Sequence, residues 1–303
     1  MAVTPATHPT TPLTSQPPRG GALLRFVRRF RLAFRGAPLA TAGAVGVAFF
    51  LFVALIGPFL TPYDPVVNSF SERLQPASAL HIMGTDNFGR DILARVMYGG
   101  RNMLVLTGSA TTVAVAVGLA VGLLIGYTGG WLDEIVMRVF DSLLALPALM
   151  LTLLLTRSLG PNRFTLLVAI VVLYIPIVAR VIRSVVLDLK TKSYIEAAVL
   201  GGQSRFRILA REVLPGVLPA LAVEASLRFS YAIFLVASLS YLGIGVSRPE
   251  PDWGLMVFEA RDWYALAPWV LFWPAVSIVF LVVSVNLLSD GLRRFFQYSG
   301  STP

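Results

Sequence analysis

The sequence has no cysteine and only two histidines, His8 and His81. Without cysteine, disulfides, thiolate metal sites and cysteine nucleophiles are excluded. One histidine falls in a Pro/Thr-rich tail and the other in a loop, which excludes a His-rich metal centre and reads most simply as two solvated rings. No G-x-x-x-x-G-K-[ST] run occurs, so the chain carries no phosphate-cradling loop of that kind. Charge is scarce: 14% of the 303 residues are charged against 56% hydrophobic. The mean hydropathy is +0.74. These values lie outside the range of soluble domains and indicate a polytopic membrane protein.

Residues 1–22 carry Pro5, Pro9, Pro12, Pro17 and Pro18 among Thr and Gly. That composition cannot bury enough surface to order itself and is expected to be a disordered tail. Over 23–36, Leu23, Phe26, Val27, Phe30 and Phe34 share one helical face, with Arg25, Arg28, Arg29 and Arg35 around the other. The pattern predicts an interfacial amphipathic helix on an anionic leaflet. A signal peptide is the weaker reading, because no small-x-small cleavage site follows the apolar run that ends at Gly57-Pro58.

A span takes about 20 apolar residues. On that measure 37–295 holds six, at 39–60, 103–127, 136–157, 164–184, 217–243 and 267–290, followed by a tail at 296–303. Pro147 and Pro176 fall inside the third and fourth spans and are expected to kink them. An even number of spans places both termini on one side. With those termini inside, sixteen of the 25 Lys and Arg lie in inner segments, eight in outer loops, and Arg228 within the fifth span. The positive-inside bias therefore makes both termini cytoplasmic. It also accounts for the net charge of +9 without invoking nucleic acid.

The segment joining the fourth and fifth spans, 188–216, contains EAAVLGGQSRFRILAREVLP from Glu196 to Pro215. It reads as two short helices around a turn. Gly202 supplies the permissive backbone, Ser204 can cap the second helix, and Pro215 stops it. Ile208, Leu209 and Val213 can share a face while Arg205, Arg207 and Arg211 take the rest, as in a surface helix held by a partner. An ordinary basic inter-helix loop is the plain alternative. The run resembles the Glu-Ala-Ala loop of ABC-transporter inner-membrane permeases: Glu196, Ala197 and Ala198, then Gly202, then Leu214-Pro215. That resemblance implies that Glu196, Ala197, Ala198, Gly202, Ser204, Phe206, Leu214 and Pro215 dock ATP-binding subunits.

The outer loop 61–102 contains HIMGTDNFGRDILARVMYGGRNML from His81, where Asp86, Arg90, Asp91 and Arg95 are spaced for helical pairing. Gly84, Thr85, Asp86, Gly89, Arg90 and Asp91 resemble the GTD-x-x-GRD segment of the C-type permease of dipeptide, oligopeptide and nickel ABC importers. The stretches from Tyr127, from Leu239 and from Asn286 resemble the same family, in the same order. The resemblance implies an all-α bundle of six transmembrane helices with the type I ABC importer permease fold, in a prokaryotic inner membrane. It implies four kinds of contact: a homologous permease, two ATP-binding subunits, an extracytoplasmic binding protein and membrane lipid. ATP and Mg would belong to the ATP-binding subunits, and no cofactor, metal site or catalytic residue is assigned to this chain. Peptide is the implied cargo, with nickel complexes or oligosaccharides as alternatives.

Within the fifth span Glu224 and Arg228 stand four residues apart on one helical face, near Tyr231. A charge at bilayer depth costs about 2.5–3.5 kcal/mol on insertion scales. The two are either a mutual salt bridge that lets both be tolerated or, with Tyr231, part of a translocation path. Arg138 and Asp141, three apart, are expected to form a positioning pair. Two rival functions remain: an intramembrane hydrolase, which would need His at membrane depth, and an ion-coupled secondary transporter with Glu224 as carrier.

The topology is directly testable, since the chain has no cysteine of its own. Cysteine placed at Ser78 is expected to label from outside with an impermeant reagent, and cysteine placed at Ser204 is not. The opposite pattern would overturn the orientation.

Overall fold

The computed structural model describes residues 37–300, with side chains through Phe295. The expected tail at 1–22, the interfacial helix at 23–36 and residues 301–303 lie outside the described residues. Among the described residues there are ten α-helices and no strand. They are α1 (Pro38–Leu60), α2 (Ile92–Thr128), α3 (Gly130–Leu144), α4 (Ala148–Leu159), α5 (Arg163–Leu189), α6 (Ser193–Leu200), α7 (Arg205–Ile208), α8 (Leu214–Tyr241), α9 (Trp253–Ala260) and α10 (Pro268–Gly300). Residues 296–300, expected as tail, continue α10. Five helices are long and apolar enough to cross a membrane: α1, α2, α5, the continuous run Arg205–Tyr241 and α10; a sixth crossing requires α3 and α4 taken together.

That pair departs from the expected third span. α3 and α4 are bent by 86° at the break between them. Pro147 does not kink a continuous helix; it stands at the N-cap of α4 with φ −56° and ψ 136°. Its ring disfavours a helical conformation at Leu146, and it has no N–H to carry the helix through. α3 is instead fastened sideways to α5 by charge. Asp133 accepts from Nε and Nη2 of Arg183, and Asp141 accepts from Arg180. Arg138 pairs not with Asp141 but with Glu134, one turn away at 3.0 Å. Pro176, by contrast, is buried inside the unbroken α5.

The bundle is built on the seam between α2 and α5, its most extensively packed pair. Gly118, Gly122 and Gly126 recur every four residues on α2 and let the two backbones close up. A Cβ at Gly122 would stand 2.6 Å from the Ala179 carbonyl oxygen, and one at Gly118 only 2.7 Å from Val178 Cβ. α1 packs along α10, and α10 along α8.

α2 begins at Ile92, not near 103, so residues 92–102 are helix and not loop. Hydropathy alone counts Arg95 as a loop residue, yet its charge is matched by neighbours and its side chain is buried. Asp91 starts the helix by accepting from the Ala94 N–H at 2.7 Å. Trp253 of α9 fills the space beside Gly99 and Gly100 and donates from Nε1 to the Val96 carbonyl at 2.8 Å.

Outside the spans a small lobe is closed by a buried ion network. Asp86 accepts from Arg90 Nε at 2.6 Å, and Arg90 Nη2 donates to Glu259 Oε2 at 2.8 Å. Arg95 Nη2 reaches the same Glu259 oxygen at 3.4 Å, while Arg248 Nε donates to Oε1 at 2.8 Å. Glu259 of α9 thus ties together segments more than 160 residues apart in sequence. Asp91 does not pair with either arginine; its second oxygen lies 2.9 Å from His81 Nδ1. His81 is accordingly buried, not solvated, and its ring stacks on Tyr63 at 4.7 Å. Asp252, which caps α9 by accepting from the Leu255 N–H, is also buried. Burial pushes its carboxyl above the usual carboxylate range, and the Leu255 N–H opposes that rise.

Breaking one member of a buried ion network leaves an uncompensated charge and costs about 3–5 kcal/mol. Glu259→Gln is therefore expected to lower the melting temperature and the yield of folded protein sharply. Glu134→Gln, which removes the exposed partner of Arg138, is expected to change neither. Thermal unfolding of the detergent-solubilised protein, followed by size-exclusion chromatography, compares the two.

Candidate functional site

The stretch from Glu196 to Pro215 lies at the far end of the α2–α5 seam from the ion-paired lobe. Ile195 and Ala198 of α6 turn inward and join a cluster with Val178, Ile182 and Val186 of α5 and with Ile208, Val213 and Val217. Glu196, Ala197, Val199 and Leu200 face outward. α6 ends in a defined stop: the Gly202 N–H donates to Val199 O at 3.0 Å and the Gln203 N–H to Ala198 O at 3.1 Å. This is the paired arrangement of a Schellman motif, and it places its C′ residue in the left-handed region. Gly202 is that residue, with φ +72° and nothing within 4 Å of where a Cβ would stand. Ser204 then caps α7, its Oγ accepting from the Arg207 N–H at 3.4 Å.

From Ser204 onward the arrangement differs from two isolated short helices. α7 runs through a π-helical turn at Leu209–Val213 directly into α8. The Leu214 N–H donates to Leu209 O across that wider turn. Pro215 does not stop the helix; it occupies the first turn of α8, where its missing N–H is not needed. The predicted face is otherwise present. Ile208 and Val213 are buried and Leu209 is partly buried against the same cluster, while Arg205, Arg207 and Arg211 are exposed.

Two large apolar side chains stand free on the outside of this segment: Leu200 at 88% exposure and Phe206 at 81%. Phe206 was expected in a docking role; Leu200 was not. Its signal was a leucine directly before Gly-Gly, where the helix has ended and no core face remains for it. Beside them lies a cleft of 510 Å³ lined by Tyr127, Lys190, Glu196, Leu200 and Arg205 among others. Lys190 Nζ donates to the Tyr127 carbonyl at 2.8 Å, capping the C-terminal end of α2 with a positive charge.

Within α8, Arg228 Nε lies 2.8 Å from Glu224 Oε1. The contact is an ion pair without hydrogen-bond alignment, as neither atom has a hydrogen-bond partner. The guanidinium sits 5.7 Å from the ring centre of Tyr174 on α5 and 5.0 Å from that of Tyr231. Glu224 is buried, and Tyr231 is 55% exposed. Of the outer motif, Gly84 and Gly89 adopt φ +78° and +76°. Thr85 pairs with Asp91 across an isolated bridge, and Asp86 and Arg90 enter the Glu259 network. Glu259 and His81 complete that cluster and were not singled out from sequence.

The comparisons with known proteins agree with this geometry. The family described as the binding-protein-dependent transport system inner membrane component matches residues 118–298. The N-terminal transmembrane domain of oligopeptide transport permease C matches residues 25–77. A dipeptide transport system permease of Alkalihalophilus pseudofirmus is 38% identical over 255 residues, covering 84% of each chain. A probable D,D-dipeptide transport system permease of Escherichia coli is 34% identical, covering 86% of this chain and 87% of the relative. A glutathione transport system permease of Pectobacterium atrosepticum is 37% identical, covering 88% and 89%. A chain of the MetNI methionine ABC transporter, solved in an inward-facing conformation, superposes with a TM-score of 0.56 at 21% identity, over 66% of this chain and 94% of that one. The fold is thus that of a type I ABC importer permease, and the chain belongs to the binding-protein-dependent transport system inner membrane components, in the branch that carries the N-terminal domain of oligopeptide permease C.

Proposed function

We propose that this chain is one of two homologous permease subunits of an ATP-driven importer of di- or oligopeptides. It takes cargo from an extracytoplasmic binding protein and docks two ATP-binding subunits through the segment from Glu196 to Pro215. ATP and Mg are held by those subunits and not by this chain. Both termini are cytoplasmic, and Glu224, Arg228 and Tyr231 line the path. The peptide assignment is supported by the relatives, which are named as dipeptide, D,D-dipeptide and glutathione permeases. Membership of the family displaces the ion-coupled carrier reading of Glu224.

One observation carries the docking role. α6 is held to the bundle by Ile195 and Ala198 alone of its inward face, while Leu200 and Phe206 flank the Gly202 stop fully in the open. Exposed apolar patches rimmed by polar residues mark sites of protein contact. The basic residues around them, Arg205, Arg207 and Arg211, favour a partner surface with acidic groups.

Gly202 tests this cleanly, because a Cβ there meets no neighbour and only the backbone is affected. A β-branched residue in the left-handed region costs about 1–3 kcal/mol, too little to unfold the bundle and enough to displace α7 relative to α6. Gly202→Val is expected to insert at near-normal level, to co-purify poorly with the ATP-binding subunits, and to lower uptake of labelled peptide. Gly202→Asn, which tolerates this backbone better, is expected to lose less. Glu196→Lys is expected to act like Gly202→Val by reversing charge on the exposed face. Normal assembly and transport in both Gly202→Val and Glu196→Lys would make the segment a passive connector.

A further inference from the structure

Arg228 lies near the middle of the 28-residue α8. At about 1.5 Å per residue it is about 20 Å from either end of the helix. A guanidinium carries five N–H donors in a planar fork. The two buried arginines of the outer lobe make side-chain hydrogen bonds: Arg90 donates to Asp86 and Glu259, and Arg95, although its Nε has no partner, donates from Nη1 to the Pro65 carbonyl and from Nη2 to Glu259. Among the described residues, Arg228 donates a hydrogen bond to none. Its Nε is a buried atom without a hydrogen bond, and so is Oε1 of Glu224, whose side chain is only 9% exposed. Buried charged groups are ordinarily both paired and hydrogen-bonded. Here the charges are balanced and the hydrogen bonds are not made.

Two aromatic rings define where the guanidinium sits. Tyr174 is buried, and Tyr231, its other neighbour, is exposed, so the site opens on the surface of this subunit. A planar, aromatic-held cation with unused donors is matched by a planar anion that can accept two of them side by side.

We infer that Arg228 is a recognition site for the C-terminal carboxylate of the transported peptide, with Glu224 as its resting counter-ion. The inference rests on the peptide-importer reading. While the site is empty, Glu224 keeps the arginine neutralised at a depth where a lone charge is costly. An arriving carboxylate takes the fork in a bidentate contact that Glu224, misaligned on the same helix, does not make. The released Glu224 is then free to face the peptide's ammonium group. One carboxylate replaces another, so a zwitterionic cargo passes without leaving any charge unmatched.

The test uses the complete importer reconstituted in liposomes, with two labelled peptides of one sequence, one ending in a free carboxylate and one in an amide. Maximal uptake is measured with the binding protein saturated. The variant-to-wild-type ratio for each peptide cancels the binding protein's own preference. Glu224→Gln with Arg228→Gln, which leaves no lone buried charge, is expected to reduce uptake of the free acid about tenfold and of the amide less than about twofold. Arg228→Lys keeps the charge without the fork and is expected to fall between for the free acid. Equal losses for both peptides, or no loss for either, would overturn the inference. Loss of the partner permease from the purified double variant would overturn it too, by assigning the pair to assembly. If the wild type imports neither peptide while its ATP hydrolysis still responds to the binding protein, it is the peptide-importer reading that fails, and the carboxylate site falls with it.

Discussion

The close approach of α2 and α5 is the contact on which the rest of the molecule depends. Three glycines at four-residue spacing bring Gly122 within van der Waals contact of the Ala179 backbone, so the two helices behave as one thick rod. The outer lobe and the Glu196–Pro215 segment are both attached to that rod. At one end, α2 is capped by Asp91 and enters the ion network through Arg95. At the other, Ile182 and Val186 of α5 form the floor on which Ile195, Ile208 and Val213 of the segment between α5 and α8 rest. Dispersion between tightly fitted backbones drives this association in lipid, where tails solvate leucine as well as another helix does.

Charge is scarce in this chain, and its disposition separates two kinds of site. In the outer lobe, Arg90, Arg95 and Glu259 are buried and joined by side-chain hydrogen bonds, an arrangement that holds distant segments in one geometry. In α8, Glu224 and Arg228 are paired in charge alone. The first arrangement resists change because any loss leaves a buried ion unmatched. The second can exchange partners at little cost, since the contact given up contains no aligned hydrogen bond. A further difference is access: Asp86, Arg90, Arg95 and Glu259 are buried, whereas the ring of Tyr231 beside Arg228 is exposed.

The Glu196–Pro215 segment shows how a local motif and its setting divide the work. Gly202, Ser204 and the Ile208/Val213 face are local features, and each could be read from residue type and spacing because caps and turns involve neighbours within five positions. Pro215 could not. A proline ends a helix or opens one depending on whether the N–H it lacks was needed, and that depends on the π turn before it. Leu200 became visible as a surface group only once the orientation of α6 on the cluster was known.

Composition and hydropathy by themselves determined that this is an all-helical membrane protein, because an apolar medium leaves a chain few ways to satisfy its backbone. The Glu196–Pro215 and Gly84–Asp91 patterns determined its family. Tertiary structure alone decided the 86° break at Pro147, the early start of α2 at Ile92 and the burial of His81. It also decided that Arg138 and Asp141 take different partners, and that Glu259 is the anion both Arg90 and Arg95 require. The pairings of Asp141 with Arg180 and of Glu259 with Arg90 and Arg95 turn on which charge meets which across long separations in the chain. Hydropathy assigns every ionised side chain to water, whereas a folded chain can supply the counter-charge itself and bury both.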